Sequence, residues 1–159
     1  MEKVQISLIN AESGDTIDDA RMIFREYERS LGIDLCFQDF ENEMASLPGK
    51  YAPPDGRLIL AYKGGEVLGC IAMRKIGDGV CEMKRLYVRE NARGTGLGRM
   101  LVEKIIAEAR LAGYKRMLLD TFPQKMEAAV ALYRSYGFEE TEPYYKNPYP
   151  NVLFMAKKL

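Results

Sequence analysis

Cys81-Glu82-Met83-Lys84-Arg85-Leu86-Tyr87-Val88 runs straight into Arg89-Glu90-Asn91-Ala92-Arg93-Gly94-Thr95-Gly96-Leu97-Gly98-Arg99, so a strand, a glycine-rich turn and a helix start follow one another without interruption. The first N–H groups of a helix have no partner inside it and carry partial positive charge, and glycines let that backbone approach an anion with no Cβ in the way. Arg93, Gly94, Gly96, Gly98 and Arg99 therefore offer bare amides flanked by two guanidinium groups, and a phosphate or pyrophosphate is the fitting guest. A turn that merely caps a helix is the alternative reading of the same residues.

Two familiar anion loops fit poorly. A Walker A loop needs Lys-Ser or Lys-Thr after its last glycine, where this chain has Arg99-Met100. A dinucleotide fingerprint counted from Gly94 needs a third glycine at position 99, which is Arg, and its acidic residue about twenty positions on would fall near Asp120 after a different order of elements.

The flanking sequence supplies the rest of one α/β domain, taken as residues 1–159. Val4–Ile9 alternates as a first strand, and a helix is expected from Asp15 or Thr16 to Leu31, ended by Gly32. A second helix is expected over Phe37–Leu47, stopped by Pro48-Gly49, and Pro53-Pro54-Asp55-Gly56 reads as a turn. Arg57–Lys63 and Val67–Lys75 flank Gly64-Gly65, a tight-hairpin signal, and Gly77-Asp78-Gly79 leads into Val80–Val88, which makes an antiparallel three-strand meander. An amphipathic helix is expected from Gly96 or Leu97 to about Ala112, then a strand over Lys115–Thr121 that strand–helix–strand connectivity places parallel to the strand before the loop. Gln124–Tyr136 reads as a helix closed by Gly137-Phe138, Glu139-Glu140 leads into a tyrosine- and proline-rich loop, and Val152–Ala156 reads as the last strand.

Composition excludes several functions. The 159 residues carry 23 Lys+Arg against 23 Asp+Glu, so no global field recruits nucleic acid or an anionic membrane, and neither partner is expected. Positive charge is local: Lys84, Arg85, Arg89, Arg93 and Arg99 are expected around the phosphate site, or simply form a solvated basic patch. With no histidine, Ser-His and Cys-His nucleophile pairs, histidine metal sites and a histidine base are excluded; no metal is expected, and proton transfer falls to carboxylate, Tyr, Lys, Cys or water. Cys36, Cys70 and Cys81 have neither disulfide nor metal spacing, and Met1–Gln5 lacks a signal-peptide core; the expected location is cytoplasmic.

The order of these motifs resembles the GNAT (Gcn5-related N-acetyltransferase) family. Arg93-x-x-Gly96-x-Gly98 after a strand ending Leu86-x-Val88 matches its coenzyme A signature, and Leu132-Tyr133-Arg134-Ser135-Tyr136-Gly137-Phe138, with Ala129 three residues before Leu132, matches the end of its later helix, L-Y-x-x-x-G-F. The resemblance spans about Arg57–Phe138, weakens toward Leu159 and shows no motif before Arg57. It implies a mixed, mostly antiparallel central sheet flanked by helices and splayed at an acetyl-CoA cleft. It also implies that the backbone of Leu86, Tyr87 and Val88 pairs with the pantetheine arm as an added strand would. The amides of Arg93, Gly94, Thr95, Gly96, Leu97, Gly98 and Arg99 would take the pyrophosphate, and an N–H near Leu86 would polarise the thioester carbonyl. One departure stands out: where the family often has a pantetheine-contacting Asn, this chain has Met126.

The resemblance also assigns chemistry. An alkyl ammonium with a pKa near 10 must lose a proton before it can attack a thioester. Glu82, eleven residues before Arg93, stands where many family members carry a general-base glutamate, often acting through water; counted by two it shares a strand face with Leu86 and Val88 unless a bulge intervenes. A surface ion pair is its alternative reading. Tyr133 matches the general-acid tyrosine that protonates the departing thiolate; a core aromatic is the alternative and Tyr136 the local rival. Cys81 adjoins an alternating apolar strand and reads as a buried structural thiol.

The implied activity is acetyl-CoA-dependent N-acetylation of a primary amine, with a small-molecule acceptor. Acetylation of a protein lysine or N-terminus, and a non-catalytic acyl-CoA-binding module, are the alternatives. Acceptor choice is expected from the opening helices and the loop Tyr144-Tyr145-Lys146-Asn147-Pro148-Tyr149, whose tyrosines could hold a cationic amine or simply stiffen a surface loop. The apolar C-terminal strand could pair with a second copy to make a homodimer.

Overall fold

A computed structural model describes residues 5–35 and 39–159. Seven strands form one sheet in the order β1-β2-β3-β4-β5-β7-β6: β1 (Ile6–Asn10), β2 (Arg57–Lys63), β3 (Glu66–Gly77), β4 (Val80–Val88), β5 (Arg116–Thr121), β6 (Glu139–Glu140) and β7 (Leu153–Lys158). All neighbours are antiparallel except β4 and β5. Helices α1 (Asp15–Leu31) and α2 (Phe40–Ser46) precede the meander, while α3 (Leu97–Leu111) and α4 (Glu127–Ser135) follow β4 and β5. This is the mostly antiparallel α/β architecture that the motif order implies.

The meander strands are apolar on both faces because both faces are covered. Leu58, Leu60, Cys70 and Ala72 pack with Ile17, Ala20, Ile23 and Phe24 of α1. On the other face, Ile59, Ala61, Ile71 and Met73 pack with Leu97, Leu101, Val102 and Ile105 of α3. Gly69 lets β3 close against β4 and α3: a Cβ there would lie 2.8 Å from the Tyr87 carbonyl oxygen and 3.2 Å from the Leu97 and Leu101 side chains.

Several boundaries differ from the sequence reading. Helix α2 starts at Phe40, after Asp39 in the left-handed region (φ 59°); Phe37 lies outside the described residues, as do Val4 and Cys36. Helix α4 starts at Glu127 instead of Gln124, because Lys125 and Met126 N–H both donate to the Phe122 carbonyl and make a turn after Pro123. The last strand spans Leu153–Lys158, two residues longer at its C-terminal end than expected, where it pairs with β5, and Glu139-Glu140 adds a short outer strand beside it.

The sheet parts in the middle. Pairing between β4 and β5 covers only Val80–Glu82 against Arg116–Leu118. Beyond that, β4 stays with β3 as far as Val88–Gly69, and β5 stays with β7 as far as Thr121–Leu153. A bulge marks the divergence: between the pairs Cys70–Tyr87 and Ala72–Lys84, β4 places Arg85 and Leu86 opposite Ile71 alone, with Arg85 at φ 64°. An extra residue of this kind bends its strand and swings it from its neighbour.

Candidate active site

The parted strands open a cleft of about 490 Å³, walled by Leu86, Tyr87 and Val88 of β4, the 92–98 loop, the end of α1 at Ser30 and Leu31, and Met126, Ala129 and Leu132 at the start of α4. Along its floor Leu86 to Val88 have no neighbour on the β5 side, so an extended chain can pair there as an added strand would. At its end, helix α3 begins with Gly96 at φ 85°, and its first backbone bond runs from Met100 N–H to Gly96 O at 3.0 Å. The amides of Gly94 to Arg99 donate to no other group among the described residues. Orphan amides at a glycine-opened helix start form an anion seat, which fits a pyrophosphate. Thr95 braces the loop through its hydroxyl, which donates to Ala92 O.

The basic cluster around this loop is smaller than the sequence suggests. Arg93 folds back to donate to Val88 O at 3.2 Å, and Arg99 stacks on Tyr136 with its carbon centre 5.6 Å from the ring centroid. Arg89 instead pairs with Glu26 at 2.8 Å. Lys84 and Arg85 sit beside the β4–β5 gap with their own carboxylates: Lys84, paired with Ala72, points to the α1–α2 face by regular alternation, and the bulge turns Arg85 to the same face.

That gap continues inward from the cleft, sharing Leu86 and Met126 with it, and is lined by Tyr27, Lys84, Arg85, Asp120, Thr121 and Tyr133 among others. Tyr133 is buried, edge-on to Phe138 at 5.8 Å, and faces the gap with Leu86. Burial first, then the charges of Tyr27 and Asp120, push its phenol well above the ordinary tyrosine range. Tyr136 points away, giving its hydroxyl to Glu103 at 2.5 Å beside Arg99.

Glu82 does not share a face with Leu86 and Val88. The bulge breaks the count by two, so Cys81, Met83 and Leu86 belong to the α3-side core while Glu82 and Lys84 point to the other face. Its carboxylate is fully buried and heavily bonded: Arg74 Nε donates at 2.8 Å, the Tyr144 hydroxyl at 2.5 Å, and Lys84 Nζ lies 3.8 Å away. Burial alone would raise the Glu82 pKa, but Lys84, the Tyr144 bond and Arg74 outweigh it and the pKa is lowered. Lys84 is itself pushed down to about 8, chiefly by burial and then by Arg85, against the pull of Glu82 and Asp120. Cys81 is buried with its thiol pushed up to about 12 by burial, as suits a structural thiol.

The sequence reading did not pick out Asp120, Thr121, Lys84 or Tyr27 as walls of the gap. Two polar residues closing an otherwise apolar strand, Met117-Leu118-Leu119-Asp120-Thr121, were the available signal for the first pair. The tyrosine loop bridges the two strands that part at the gap. Tyr144 binds Glu82 on one parted strand, Tyr145 binds Asp120 on the other, and Tyr149 stacks on Phe122 at 6.0 Å. Met126 stands at the junction of cleft and gap and offers no side-chain amide there.

Known proteins agree with this architecture. The acetyltransferase (GNAT) family model matches residues 17–138. An uncharacterised N-acetyltransferase of Schizosaccharomyces pombe is 44% identical over 100% of this chain and 98% of its own. A protein of Azospirillum brasilense named IAA acetyltransferase is 39% identical over 86% of this chain and 88% of its own. The PaiA N-acetyltransferase of Thermoplasma acidophilum, solved with coenzyme A, superposes with a TM-score of 0.73 over 98% of this chain and 99% of its own at 15% identity, a likeness of fold. With its glycine loop, parted strands and α4 motif all inside the matched span, the chain belongs to the GNAT family of acetyltransferases.

Proposed function

We propose that the protein is an acetyl-CoA-dependent N-acetyltransferase that moves the acetyl group directly to a primary amine of a small molecule. The observation carrying this reading is the continuity of three features: orphan amides at Gly94 to Arg99, an unpaired strand edge at Leu86 to Val88, and a gap in which Tyr133 faces Leu86. Acetyl-CoA, when bound, supplies the activated acyl group as a thioester.

The chain's own residues then divide the work. The amides of Gly94 to Arg99 hold the pyrophosphate, while the Arg93 amide is spent on Glu90 O, and the Leu86–Val88 edge fixes the pantetheine arm so that the thioester reaches the gap. The bulge leaves Leu86 sharing Ile71 of β3 with Arg85 instead of in a regular pair, which suits its N–H to stabilise the carbonyl oxygen as charge develops on it. Tyr133, kept protonated by burial, gives its proton to the departing thiolate. Glu82, with its carboxylate already bonded to Arg74 and Tyr144, takes part in proton removal only at one remove, through the Tyr144 hydroxyl or Lys84.

The tyrosine loop over the gap favours a small acceptor over a polypeptide, which needs an open groove. No helix among the described residues is long and apolar enough to cross a membrane, and a cytoplasmic location is part of the proposal. The test is titration calorimetry with acetyl-CoA, beside an Arg93→Ala, Gly96→Asp double variant, followed by thiol release with amines. Micromolar binding that the variant loses is expected. Absence of binding by folded wild type sinks the reading, and tight binding without turnover of any amine points to a non-catalytic module.

A further inference from the structure

Resting on that reading of the site, we propose that Asp120 is the seat of the acceptor's ammonium group and that the acceptor carries this group on an unbranched carbon, as –CH2–NH3+.

Asp120 is the second residue of β5 beyond its pairing with β4: the ladder ends at Leu118, and Leu119, Asp120 and Thr121 form the free lip of the gap. Across it stand Lys84 and Leu86, and Tyr133 closes the side from α4. A group bound at Asp120 is therefore next to the phenol assigned to the leaving thiolate and to the strand edge assigned to the thioester.

The charges around the gap are unevenly matched. Glu82 has Arg74 at 2.8 Å and Lys84 at 3.8 Å, and Glu43 has Arg85 at 3.0 Å. Asp120 makes no ion pair among the described residues; its donors are neutral, the Tyr145 hydroxyl and Asn147 Nδ2 at 3.3 Å. Both fall on Oδ2, and Oδ1 has no donor among the described residues. An ionised carboxylate offers about four lone-pair positions, so a cationic donor has room to bind without displacing either partner. Lys84 faces Asp120 from β4 and is attracted by its charge, but its ion pair among the described residues is with Glu82, at 3.8 Å.

A second observation on the same wall points to a missing partner. The Thr121 hydroxyl, on a residue 4% exposed, has no hydrogen-bond partner in the structure. Buried hydroxyls left without a partner are uncommon, and one lining a gap is explained when a bound group completes it.

Size sets the chemical class. The gap is narrow: the centre of a water-sized group can sit within only about 20 Å³ of it. An ammonium head fits that space, whereas a second substituent on its carbon would be driven into Tyr27, Phe122 or Tyr133 of the lining.

The experiment is thiol release from acetyl-CoA with n-butylamine and sec-butylamine, using wild type, Asp120→Asn and Glu140→Gln, with acetyl-CoA affinity of each measured by calorimetry. Wild type is expected to prefer n-butylamine by about tenfold or more in kcat/KM, the scale of one badly placed methyl group. Asp120→Asn is expected to lose about 30-fold or more in kcat/KM, mainly through KM, with acetyl-CoA affinity unchanged, because a charge-assisted bond is replaced by a neutral one. Glu140→Gln, which removes an exposed carboxylate on β6 outside the gap, is expected to stay within a few-fold of wild type. Equal use of the two amines, an Asp120→Asn variant as active as wild type, or acetyl-CoA binding with neither amine used overturns the proposal while leaving coenzyme binding intact. Loss of acetyl-CoA binding by wild type overturns the functional reading itself.

Discussion

Arg85 closes a two-pronged ion pair on Glu43, its Nε 3.0 Å from Oε2 and its Nη2 3.1 Å from Oε1, with both side chains at most 5% exposed. Tyr51 adds its hydroxyl to the same carboxylate at 2.9 Å, and the rings of Phe40 and Tyr27 lie 5.3 and 5.9 Å from the guanidinium. The pair fastens α2 to the β4 bulge that opens the sheet. Removing one member strands a buried charge, so Glu43→Ala is expected to destabilise the fold by about 3–5 kcal/mol. An Arg85→Met, Glu43→Leu double variant should recover most of that loss, and urea midpoints of the three proteins check both statements.

Gly69 should tolerate no side chain. The Cβ of alanine would meet the Tyr87 carbonyl oxygen at 2.8 Å, and backbone cannot rotate aside. Gly69→Ala is expected to cost about 1–3 kcal/mol and to weaken acetyl-CoA binding by shifting the Leu86–Val88 edge. Gly94→Ala is the comparison: nothing lies within 4 Å of its Cβ, and only the φ of 80° opposes it, at a cost of about 1–2 kcal/mol. Thermal melts with and without acetyl-CoA separate the two.

Tyr133→Phe is expected to lower kcat about 100-fold or more while leaving acetyl-CoA affinity within a few-fold, as loss of a general acid does. Tyr136→Phe should change kcat little, because its hydroxyl serves Glu103 and Arg99 at the surface. Burial raises the Tyr133 pKa, so the phenol keeps its proton as pH rises toward 10. The pH–rate profile should therefore show no loss of activity from Tyr133 ionisation below pH 10.

Lys84 gives stability a signature in alkali. Its pKa falls from 10.5 in the unfolded chain to about 8 in the fold, chiefly by burial. Between those values the unfolded chain binds more protons than the native one, so this group makes stability rise as pH climbs from about 8 to 10.5. The gain has an upper bound of about 3 kcal/mol. Lys84→Met should lack that rise, and the difference between wild-type and variant urea midpoints across this range isolates it from other titrating groups.

Much of the architecture is local and therefore legible in the chain. The Gly64-Gly65 turn, both hairpins of the meander, the glycine loop and the α3 amphipathic stripe each follow from residue types within a few positions of one another. Elements stabilised from a distance were less legible. The two-residue β6 gains its partner from β7, and the start of α4 waits for a turn that Phe122 and Pro123 impose.

The candidate site divides in the same way. Sequence alone determined that a glycine-rich loop follows a strand and opens a helix, and that Tyr133 lies in the last turn of a helix downstream, because spacing along one chain suffices for both. Only tertiary structure decided which groups face the gap between β4 and β5. The extra residue at Arg85–Leu86 reverses the alternation of β4, turns Glu82 away from Leu86 and surrounds it with Arg74, Lys84 and Tyr144. It also parts β4 from β5, so that Asp120, thirty-eight residues from Glu82, becomes the opposite lip. A bulge is a property of two strands in register, and the charge balance of a gap is a property of everything that lines it. Neither is written in the order of residues within any one segment.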